Sequence, residues 1–188
     1  MNVRVFEFMT DSLTTNPLGS RVVLPDDLSL YIGKKTLVKL ILEAIEDSNA
    51  GTPEREDIGE VDLTFRPAMM LTLLVYCYAT GLYGSIDIQV ATQNDQMVRY
   101  LCARSYPDFG EVASFRRYHR QRIAGCLTAV LGRVWELRFR GEDARPIRGG
   151  VGTSLAQWIG LGSTPDFRRD AEERIVRAVR ADSMAMDV

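Results

Sequence analysis

The stretch FRPAMMLTLLVYCYATGLYGSIDIQVATQNDQMVRYLCARSYPDFGEVASFRRYHRQRIAGCLTAVL, Phe65 to Leu131, decides the fold of this 188-residue chain. Its punctuation is that of helices. Arg66-Pro67 opens the first, because a proline fits a first helical turn, where no N–H is needed. Met69 to Ala79 is apolar on nearly every side, which places this helix at the centre of a domain. Gly81 ends it. Ser85 is the expected cap of the next helix, whose buried side would be Ile86, Ile88, Val90 and Ala91. Asn94-Asp95 is a break, and Gln96 to Arg104 continues as a short helix. Pro107 then stops continuation, and Asp108 supplies the cap of a further helix.

That helix is expected from about Phe109 to about Phe139. At roughly 100° per residue, Val112, Phe115, His119, Ile123, Cys126, Val130 and Val134 form one apolar stripe. Gly110, Ala113, Ser114, Arg117 and Gln121 face the opposite way. Arg116 and Arg120 line one flank of the stripe, Tyr118 and Arg122 the other.

Outward from this stretch, residues 1–22 read as an N-terminal arm. VRVFEF alternates weakly and RVVL could pair with it as a short β-hairpin. Leu24-Pro25-Asp26-Asp27 looks like a helix start, with Asp26 or Asp27 as cap, and the short turn after it stops at Gly33. Lys34 to Asp47 is amphipathic, with Leu37, Leu40, Ile41, Ala44 and Ile45 on one face. Ser48 to Glu60 reads as a polar surface loop. A helical domain thus spans 23–140, and a Gly/Arg-rich linker spans 141–163. A C-terminal helix spans 164–182, opened by Thr164-Pro165, with Phe167, Ala171, Ile175, Ala178 and Val179 as its apolar side. That helix is expected to dock on its own domain. The predicted fold class is all-α, a compact multi-helix domain.

Composition narrows the function. No apolar run reaches the roughly 20 residues a membrane span needs, and no signal peptide opens the chain, so no membrane partner and a cytoplasmic location are expected. Cys77, Cys102 and Cys126 show no C-x-x-C spacing and sit among apolar residues, which makes them core thiols. His119 is the only histidine, so no metal site is expected. No Ser/His/Asp set and no phosphate-cradling glycine loop is present, so neither catalysis nor a cofactor is expected. Tyr76, Tyr78 and Tyr83 read as core walls rather than base-stacking platforms.

Charge is unevenly placed. Residues 1–98 carry 7 basic and 14 acidic side chains, whereas residues 99–148 carry 11 and 5. A basic block in an acidic chain is the footprint of a polyanion-binding face. Two short helices, a turn and an arginine-bearing helix resemble a helix-turn-helix, whose second helix enters the major groove of double-stranded DNA. The candidates for base edges are Ser114, Arg117 and Gln121. Arg99, Arg104, Arg116 and Arg120 are candidates for phosphates, and Arg122 completes the set.

Roughly residues 23–135 resemble the N-terminal domain of DDE-type insertion-sequence transposases. Pro67, Tyr78, Gly81, Ser85, Pro107, Asp108, Phe109, Phe115, Arg116, Arg117 and His119 fill its ordered positions. The resemblance implies a helical DNA-binding module that recognises transposon ends. It does not imply catalysis here. The family's first catalytic aspartate lies on an apolar strand, whereas Asp143 lies in the Gly/Arg linker, and two-metal chemistry needs several converging carboxylates. The expected function is a non-catalytic DNA-binding protein, a repressor or regulator. The alternative is a protein-interaction or homo-oligomerisation module derived from a transposase.

Overall fold

The computed structural model describes residues 24–50, 65–103, 105–140 and 165–186, which are all-α, as expected, with no strand among them. The helices are α1 (Ser29–Ile32), α2 (Lys34–Ala50), α3 (Pro67–Ala79), α4 (Ser85–Asn94), α5 (Gln96–Leu101), α6 (Phe109–Tyr118), α7 (Arg120–Trp135) and α8 (Phe167–Met186). A π-helical segment, Glu136–Arg140, extends α7. The expected N-terminal hairpin and the 141–163 linker lie outside the described residues. No helix among the described residues is long and apolar enough to cross a membrane.

The apolar α3 is the centre, and every residue from Met70 to Ala79 is buried. Its Thr72 tolerates this because its hydroxyl donates to the Ala68 carbonyl at 2.8 Å. Helix α2 packs on α3 and α7, α6 packs on α4 and α3, and α8 lies along α7 and reaches α4. Cys77, Cys102 and Cys126 are free and buried. Burial lifts all three thiols, Cys102 to about 11, which keeps them protonated and inert. Tyr76 and Tyr78 are buried core walls and Tyr83 is half-buried.

Carboxylates serve the first turns of α1, α5, α6 and α8. Asp27 accepts from the Ser29 N–H at 2.9 Å, and Asp95 accepts from Met97 and Val98 at 2.8 and 3.0 Å. Asp108 and Glu111 form a reciprocal capping box on α6, both bonds 2.8 Å. Asp166 accepts from the Arg169 N–H at 3.0 Å and opens α8; Thr164 lies outside the described residues. Gly33 and Gly81 take positive φ, +81° and +79°, where the helices before them stop.

Several local expectations are corrected. Ser85 does not cap α4. It is the first helical residue, and its N–H donates to Asp182 of α8 at 2.7 Å. The buried side of α4 is Ser85, Ile88 and Thr92, while Ile86 and Val90 are exposed. Helix α2 runs three residues past Asp47 to Ala50, α5 ends at Leu101, short of Arg104, and α8 runs on to Met186. In α8, Phe167, Ala171, Ile175 and Ala178 face the body as expected, but Val179 is exposed. The long helix expected from Phe109 is two helices. His119, at φ −108° and ψ 22°, breaks it into α6 and α7. The apolar stripe survives the break, which is why periodicity alone read as continuous.

Candidate nucleic-acid interface

Around the α6–α7 elbow, the apolar stripe turns inward and, of the cations, Arg117 and Arg120 are left outside. On α6 the buried residues are Val112, Phe115 and Arg116. The opposite side is Gly110, Ala113 and Ser114, all half-buried, with the exposed Arg117. Tyr118 follows and is 65% exposed. His119 is half-buried and lies against Phe115, ring centroids 4.2 Å apart. Arg120 and Gln121, both exposed, begin α7. Arg122 is half-buried and close enough to Cys126 to act on its thiol. Arg99 is exposed in the last turn of α5. Arg104 lies outside the described residues.

Arg116 is the correction among the expected DNA contacts. It is 5% exposed and belongs to the interior. Its Nη1 donates to the Tyr78 hydroxyl at 3.2 Å and to Ser85 Oγ at 3.1 Å, and its Nη2 pairs with Asp182. The Ser85 hydroxyl donates to the same carboxylate at 2.7 Å. Four elements, α3, α4, α6 and α8, therefore meet on one guanidinium. A planar fork with several donors can serve all of them at once, which an ammonium cannot. Nothing of this charge is left for phosphate.

Electrostatics also move the favourable end of the site. The N-terminus of α6 carries Asp108 and Glu111, so an incoming phosphate meets carboxylates there. The N-terminus of α7 has no side-chain cap and no acid in its first turn. No carboxylate in that first turn opposes Arg117 and Arg120. Neither arginine makes an ion pair with a described residue. The cationic focus thus sits at the elbow, at the far end of α6 from its first turn.

The Asp182 cluster should make stability fall in acid. Burial alone would raise this carboxyl, but the Ser85 N–H, Arg116 and the Ser85 hydroxyl outweigh it and hold the carboxyl below its usual value. Asp95 is likewise held low: the Val98 N–H, Lys34 and the Met97 N–H outweigh burial. Groups depressed in the fold stabilise it above the unfolded carboxylate pKa, about 3.9, and lose this as pH falls through their folded values. Asp170 is raised by burial and relieves part of the loss. Denaturant midpoints should therefore hold from pH 7 to about 5 and drop below about 4. Asp182→Asn should flatten the drop, and a parent midpoint level through pH 3 would contradict the account.

Comparison with protein-family models, with curated proteins and with solved structures returns no match to this chain.

Proposed function

We propose that this chain is a non-catalytic DNA-binding protein that engages a duplex with the α6–α7 elbow. The observation that carries the reading is the pair Arg117 and Arg120, both exposed and three residues apart across the helix break, with no ion pair to a described residue. Gln121 and the small outward side of α6 lie beside them. Such a surface admits a polyanion closely and neutralises it with planar donors. The resemblance to the transposase N-terminal domain supports recognition of transposon ends, with a role as repressor or regulator.

Replacing Arg117 and Arg120 together by alanine should reduce duplex affinity strongly. The slope of log affinity against log salt should shrink by about 2, roughly one per lost phosphate contact. The thermal midpoint should stay near that of the parent, since both side chains are exposed. Titrations of labelled duplex across a salt series read all of this, and an unchanged slope removes the elbow from the interface. A protein-interaction role is favoured by one different observation: Ile86 and Val90 are exposed one turn apart on α4. A mass in solution that stays monomeric at rising concentration would discount self-association.

A further inference from the structure

Tyrosine in a helical body normally buries its ring, and here Tyr76 and Tyr78 do so. Three others do the opposite: Tyr106, which is 50% exposed and follows a serine, and two that stand beside cations. Tyr100 is 75% exposed and Tyr118 is 65% exposed. Each directly follows an exposed arginine, Arg99 and Arg117, in the last turn of its helix. Neither ring stacks on another described aromatic ring. Successive helical residues point about 100° apart, so guanidinium and ring stand side by side rather than covering each other. One group suits a phosphate and the other offers a bare π-face. Together they match the two halves of an unstacked nucleotide, the arrangement by which single strands are held.

We infer that Tyr100 and Tyr118 are base-stacking platforms, so that the protein prefers DNA containing unpaired bases over intact duplex of equal charge. This rests on the DNA-binding reading and specifies the form of DNA it takes. In an intact duplex each base face is covered by its neighbour and the rings have nothing to stack on. In a bubble or a frayed end they do.

The test uses the full chain with two labelled probes, a short duplex and the same duplex with a central unpaired bubble. The parent should bind the bubble more tightly. Tyr100→Ala with Tyr118→Ala should weaken bubble binding on the order of tenfold and intact-duplex binding by much less. Tyr100→Phe with Tyr118→Phe should keep the preference, because a phenyl ring still stacks. Equal binding of both probes by the parent, or equal loss on both by the alanine variant, overturns the stacking role while leaving DNA binding in place. Parent chain that binds neither probe at low salt overturns the DNA-binding reading itself. The thermal midpoint of the alanine variant should match the parent, which assigns any loss of affinity to the rings.

Discussion

Arg116→Ala is expected to lower the thermal midpoint by about 10 °C, far more than any surface arginine would. Removing one partner of a buried ion pair costs about 3–5 kcal/mol, because the other charge is left behind. In a chain of this size each kcal/mol moves the midpoint by about 2–4 °C. Here the stranded group is Asp182, whose side chain is only 13% exposed, beside the buried Tyr78 phenol. Burial pushes that phenol up to about 12 even against the pull of Arg116, so it stays neutral and offers the carboxylate no counter-charge. Arg116→Lys should recover part of the loss, since one ammonium can meet Asp182 but cannot also satisfy Tyr78 and Ser85. The DNA affinity of molecules that remain folded should change little. A midpoint shift under about 2 °C in Arg116→Ala, read by differential scanning calorimetry, would show that the cluster is incidental to stability.

Arg174→Ala should be at least as damaging. This side chain is wholly buried beneath α8. It donates to the carbonyls of Asp26, Tyr78 and Pro25 at 2.8, 2.9 and 2.6 Å, and it faces Asp170 at 3.3 Å. The Tyr78 carbonyl is in the last turn of α3, where no intrahelical N–H remains to serve it. Arg174 is thus the C-terminal cap of the central helix and the tie to residues 24–26. Its loss leaves these carbonyls without that donor and the buried Asp170 carboxylate with only the Leu24 N–H, at about 1–3 kcal/mol for each unsatisfied group. Arg174→Met, which keeps most of the volume, should rescue little, because packing is not what is lost. Proteolysis should then cut within α8 well before the body. If methionine restores the parent midpoint, the hydrogen bonds are not what holds α8 down.

Much of the helical frame is legible in the residues themselves. Pro67, Gly81, Asp95 and Asp108 each act locally, so the start and stop of α3 and the starts of α5 and α6 come from short-range chemistry. The docking of α8 is legible too, because Ala171, Ile175 and Ala178 mark its inner side. What escapes is set at long range. Arg116 looks like its neighbour Arg117, and what separates them is a carboxylate 66 residues away. A signal existed: Arg116 stands one turn after the buried Val112 and directly after Phe115, on the edge of the stripe. Arg174 had a clearer one, with Asp170 four residues before it and Ala171 and Ala178 making room on either side. The break at His119 left no trace, since one distorted residue does not disturb the apolar repeat.

Synthesis proceeds from the N-terminus, and that order bears on the Ser85–Asp182 bond, which closes a span of 97 residues. A nascent chain presents Arg116 to water 66 residues before its counter-ion is made, a delay of about 3–13 s at 5–20 residues per second. Through that interval the start of α4 and the guanidinium beneath it stay hydrated and open to attack by proteases. Final locking of the body is therefore a late event in the life of each molecule. A frameshift or early stop anywhere before Asp182 would release chains that never reach it.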